Sequence, residues 1–99
     1  MSGQMTLAEL QASLSESVPP PGLPRLVEAL WRDARGDWRE AHEIAQGVDD
    51  SQGAWVHAYL HRKEGDLSNA GYWYSKAGRS RPDTSLDEEW KEIAKTLLG

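Results

Sequence analysis

Apolar residues recur at helical spacing along most of the chain, and no segment alternates steadily between apolar and polar. Thr6 and Glu9 form a capping-box pair ahead of Leu7, Leu10 and Leu14, which predicts a short amphipathic helix over 6–16 after a frayed start at Met1 to Gln4. Four of the five prolines fall between Val18 and Pro24, so this stretch is expected to be an extended, polyproline-like linker. Pro24 suits a first helical turn, and Leu26, Val27, Leu30, Trp31 and Ala34 make one stripe, predicting a helix over 24–35 that stops at Gly36. Asp37 and Glu40 open the next helix, with Trp38, Ala41, Ile44, Ala45 and Val48 on its buried side and Gly47 at its end. A polar turn from Asp49 to Gly53 leads into a helix over 53–64, stopped by Gly65. Asp66 caps a helix over 67–78, in which Leu67, Ala70, Tyr74 and Ala77 share a face. After a loop containing Pro82, Ser85 and Glu88 repeat the capping box ahead of Leu86, Trp90, Ile93, Ala94 and Leu97, the stripe of a last helix.

The pattern predicts an all-α chain without sheet, organised as an N-terminal helix and linker over 1–23 and a helical-hairpin domain over 24–99. Within the second part the chain repeats itself. Ala29-Leu-Trp-Arg-Asp-Ala-Arg-Gly-Asp-Trp-Arg-Glu-Ala41 aligns without gaps to Ala58-Tyr-Leu-His-Arg-Lys-Glu-Gly-Asp-Leu-Ser-Asn-Ala70, and the offset from Gly36 to Gly65 is 29 residues. Each copy reads as a helix, a Gly-Asp turn, and a second helix whose early Ala permits close approach. The copies resemble a degenerate tetratricopeptide-type helical hairpin across residues 24–83, with Pro82 in the place of the repeat-ending proline. The period is shorter than the family's usual one of about 34 residues. The family's large apolar positions on the first helix fall here on Glu28, Arg32, His57 and His61. The stretches Trp55–Asp66 and Tyr72–Gly78 are also similar to a group of small uncharacterised bacterial and fungal proteins, a likeness that implies a fold and no chemistry.

Composition narrows the chemistry. With 99 residues the chain is one small domain, and a net charge of −5 argues against nucleic acid as a general partner. The absence of Cys excludes disulfides, thiolate metal sites and a Cys nucleophile. No apolar run is long enough for a membrane span or a signal-peptide core, so a cytoplasmic location and no membrane partner are expected. Five Trp and three Tyr stand beside no Phe at all, which favours half-buried surfaces where a ring also needs a polar partner. No phosphate loop, dinucleotide fingerprint or Gly-x-Ser-x-Gly elbow is present, so neither a cofactor nor catalytic residues are expected.

Two sets of residues remain. His57 and His61 stand four apart and share a helix face, with Glu64 three beyond and His42 expected from the neighbouring hairpin. Such a set could ligate a metal, although it lacks the Glu of the His-Glu-x-x-His motif, and two histidines at a helix contact also arise without any ligand. Ala54 and Ala58 beside them, with Trp73 and Tyr74 opposite, could instead frame a small-molecule pocket or simply a tight helix contact.

The second set follows from the hairpin resemblance. The family's ligand-facing positions fall on Gln52, Trp55, Tyr59, Arg62 and Lys63, and on Leu23, Leu26, Leu30, Asp33 and Ala34. Leu26, Leu30, Trp55 and Tyr59, edged by Arg62 and Lys63, would make a groove too apolar to stay bare. The expected cover is the chain's own Leu7/Leu10/Leu14 helix, the same helix from a second copy in a homodimer, or a partner peptide or protein bound helix-in-groove. The last helix is expected to cap the second hairpin. These features favour a non-catalytic interaction module, with a metal or small-molecule site at His42, His57, His61, Glu64 and Trp73 as the alternative.

Overall fold

The computed structural model describes residues 5–99, and the expected frayed start at Met1 to Gln4 lies outside the described residues. Among them every regular element is helical: α1 (Leu7–Ala12), α2 (Arg25–Ala34), α3 (Trp38–Gln46), α4 (Ser51–Glu64), α5 (Leu67–Lys76) and α6 (Leu86–Leu98), with a 3-10 turn at Ser13–Ser15. None of these helices is long and apolar enough to cross a membrane.

Local chemistry sets the boundaries. Both capping boxes form, Thr6 with Glu9 and Ser85 with Glu88. Asp37, Asp50 and Asp66 each accept a hydrogen bond from the backbone amide three residues on, which satisfies a donor that the helix start leaves unpaired. Asp50 therefore starts α4 at Ser51, two residues before the expected start. The N-terminal helix is shorter than the expected 6–16. Ser13 Oγ donates to the Leu10 carbonyl at 2.6 Å and accepts from Trp31 Nε1 at 3.1 Å, and the chain tightens into the 3-10 turn there. α5 ends at Lys76, with Ala77 as its cap and Gly78 following in the left-handed region, rather than running on to residue 78.

The two Gly-Asp turns close alike. Gly36 and Gly65 have φ of 88° and 90°, a conformation that costs Gly nothing. At the same register the Asp37 amide bonds the Arg32 carbonyl and the Asp66 amide bonds the His61 carbonyl, both as helix-ending Schellman bonds. Each turn folds its second helix back onto the first, α3 on α2 and α5 on α4.

α4 is the centre of the molecule, packed against α2, α3, α5 and α6, and Gly53 to His61 are buried without interruption. Its start lies close under the end of α3. A Cβ built on Gly53 would overlap the Val48 carbonyl, so only glycine fits that crossing.

α6 differs from expectation. Instead of capping the outer face of the second helix pair, it lies across the first helices of both pairs, packed on α2 and α4. Trp90 Nε1 donates to the Leu30 carbonyl at 3.0 Å, and Ile93 and Ala94 are fully buried. There the stripe of α6 buries its apolar side against α2 and α4. α1 then packs on α6, and the 3-10 turn after it meets Trp31 of α2 and its cap Arg35, whose guanidinium donates to the Leu14 carbonyl at 3.0 Å. Leu10 is fully buried by this docking.

Candidate metal centre

His57 and His61 stand one turn apart on α4, and the packing of α3 on α4 brings His42 over them. One ring nitrogen from each of the three lies within 4.8 Å of the others. His57 and His61 are buried and His42 is half-buried. Their rings meet at centroid distances of 4.6 Å (His42–His57), 4.9 Å (His57–His61) and 5.2 Å (His42–His61). A tetrahedral ion with Zn–N bonds of about 2.0–2.1 Å holds its nitrogens about 3.3 Å apart, so modest rotations of the three side chains would close the site.

Tryptophans hold the cluster on two sides. Trp73 of α5 lies flat on His57, with centroids 3.9 Å apart and planes 17° from parallel. Trp38 of α3 stacks on His42 at 4.9 Å and is itself tied down by a 2.9 Å bond from Nε1 to the Leu60 carbonyl. Glu64 Oε2 sits 2.7 Å from His61 Nδ1, which orients that ring and leaves Nε2 as its free nitrogen. His61, Glu64 and Asp66 form a second close group, but Asp66 is engaged as the cap of α5 and both acids are exposed.

The environment disfavours charge on two of the three imidazoles. Burial, then the neighbouring His42 and His61, lowers the His57 pKa to about 4. His42 is lowered as well, first by burial and then by His61, against the opposing pull of Glu43 and Glu64. Neutral imidazole is the form that binds a metal ion. His57 is only 5 % exposed, and among the described residues no fully buried side-chain nitrogen or oxygen is left without a hydrogen-bond partner. A cleft of about 290 Å³ opens beside His57, lined by Trp73, Gly53, Ala54, Asp50 and Lys76 among others.

The structure therefore brings together His42, His57, His61, Glu64 and Trp73. The groove set meets a different fate. Leu26, Leu30, Trp55 and Tyr59 are all buried, with α6 packed across α2 and α4, while Asp33, Ala34, Tyr59 and Lys63 line a cleft of about 420 Å³ together with Leu14, Leu86 and Trp90. The two cations expected at the groove's edge are engaged inside the chain. Arg62 pairs with Glu89 at 2.7 Å and also donates to the Thr84 carbonyl, and Lys63 pairs with Asp33 at 2.9 Å.

Sequence reasoning passed over Glu89. Its carboxylate is fully buried and accepts from Tyr74 Oη at 2.6 Å, Trp55 Nε1 at 3.2 Å and Arg62. Burial and the adjacent Glu89 push the Tyr74 hydroxyl pKa well up, and burial with Asp33 does the same for Tyr59, so both remain hydrogen-bond donors. The available signal was an acid in the middle of the Leu86/Trp90/Ile93 stripe. The spacing of Trp38 marks it as a core residue of its helix and carries no sign of the stack on His42. Protein-family models, curated proteins and solved structures give no match to this chain.

Proposed function

We infer that the protein binds a divalent transition-metal ion of the zinc class through His42, His57 and His61. The observation that carries this is the convergence of three imidazoles from two helices, one ring nitrogen of each within 4.8 Å of the others, with Glu64 positioned behind His61. Three imidazoles suit Zn²⁺, Ni²⁺, Cu²⁺ or Co²⁺ and suit Mg²⁺ or Ca²⁺ poorly. The fold supplies what such a site needs. α3 and α4 fix the donors on rigid elements, Trp38 and Trp73 stack on two of the rings, and Glu64 orients the third.

The scaffold is read as two tandem hairpins, α2–α3 and α4–α5, of tetratricopeptide-like type, with α6 lying in their shared groove. The support is the matching turn closure at Gly36 and Gly65 and the repeat that surrounds it. Binding a partner peptide in that groove would require α6 to leave, along with the Glu89 bonds that hold it.

Calorimetric titration of metal-stripped protein with Zn²⁺ tests the metal site. Stoichiometric, sub-micromolar binding that raises the melting temperature and is lost in His61→Ala is the expected result. Binding that is weak, superstoichiometric or indifferent to His61→Ala would refute it.

A further inference from the structure

We propose that an ion held by His42, His57 and His61 keeps one coordination position for an exchangeable ligand, a water, a hydroxide or a small anion entering from the cleft beside His57. This rests on the metal-binding reading above. The group supplies three donors, and among the described residues no fourth His, Asp or Glu joins it. Glu64 is engaged by His61 Nδ1 and serves to orient the ring. Zinc sites with four protein ligands are structural, whereas those with three leave the fourth position to solvent or substrate.

The cleft gives that position an approach. It reaches His57, and its floor at Gly53 and Ala54 carries almost no side-chain bulk. Asp49 and Asp50 also line it, and Asp50 is engaged as the cap of α4 through a 2.8 Å bond from the Gly53 amide. Lys76, an exposed residue that also lines the cleft, sets its ammonium 5.4 Å from the centroid of the Trp73 ring, the ring that stacks on His57. The bound dication is the dominant local charge, and Lys76 adds to its attraction for an anion.

The test is visible spectroscopy of the Co²⁺-loaded full chain titrated with azide. The expected result has two parts: d–d bands that shift and change intensity on saturation with one azide per Co²⁺, and azide affinity that falls severalfold in Lys76→Met while Co²⁺ affinity stays the same. Stoichiometric Co²⁺ binding with a spectrum that azide leaves unchanged would overturn the exchangeable position while sparing the metal site. Failure of Co²⁺ to bind would overturn both. Equal azide affinity in wild type and Lys76→Met would overturn the assignment of this cleft as the approach.

Discussion

Glu89→Ala should be among the most damaging single substitutions in the chain. The carboxylate is fully buried between α4, α5 and α6 and is the acceptor for Trp55 Nε1, Tyr74 Oη and the Arg62 guanidinium. Truncation leaves two neutral donors without a partner, each costing about 1–3 kcal/mol when buried. It also leaves Arg62, whose side chain is 16 % exposed, with only the Thr84 carbonyl, and removing one partner of a buried ion pair costs about 3–5 kcal/mol. These losses overlap, because the three donors share one acceptor and some solvent reaches Arg62. About 4 kcal/mol is the expected net loss, a large part of the roughly 5–15 kcal/mol that holds a domain of this size. With an m-value of about 2 kcal/mol/M, the urea midpoint followed by circular dichroism should fall by about 2 M. Glu89→Met separates the hydrogen-bonding account from a simple cavity. It refills the volume but satisfies none of the donors, so it should lose nearly as much. A loss below about 1 kcal/mol in Glu89→Ala, or a Glu89→Met variant as stable as wild type, would refute the reasoning.

Further consequences are open to measurement. His57 holds its pKa at about 4 in the fold against an ordinary value of 6.5, so between those values the unfolded chain binds the extra proton. Stability of the metal-free protein should be intact above about pH 6.5 and fall by up to about 3 kcal/mol as the pH drops toward 4, with His42 acting in the same sense; a urea midpoint that does not move between about pH 7 and pH 4.5 would contradict this. Gly53→Ala should destabilise by about 2–4 kcal/mol, since its Cβ meets the Val48 carbonyl and the α3–α4 crossing must open; an unchanged melting temperature would show that the crossing is not tight. Trp90→Ala should cost about 3–5 kcal/mol in urea unfolding, through its volume and its bond to the Leu30 carbonyl, whereas a peripheral α6 would lose under about 1 kcal/mol. Deleting residues 1–18 removes Leu10 and Ser13 from Trp31 and α6, so dye binding and self-association should rise; a truncated chain that stays monomeric and melts unchanged would show that this docking contributes nothing.

The helices and their ends were legible in the sequence because they depend on neighbours three or four residues away. Thr6 with Glu9, Ser85 with Glu88, Asp37, Asp66, Gly36 and Gly65 act within one turn, and each does locally what its residue type favours. The His57/His61 spacing was legible for the same reason. Where an end differs, as at α4, a local competitor decides it: Asp50 caps the helix ahead of the Gly53 start that the pattern suggests. Which stripe meets which was not legible. The stripes of α1 and α6 are both amphipathic, and sequence alone offered no ground for preferring α6 in the groove of Leu30, Trp55 and Tyr59. The choice lies in contacts between residues far apart in the chain: Trp90 to the Leu30 carbonyl, and Glu89 to Trp55, Tyr74 and Arg62. The histidine site divides along the same line. Spacing put two imidazoles on one face of α4, but only the close α3–α4 crossing at Gly53 brings His42 onto them, and only α5 lays Trp73 against His57. A helix is built from near neighbours, whereas a site between helices exists only once packing has selected one arrangement among many of similar pattern.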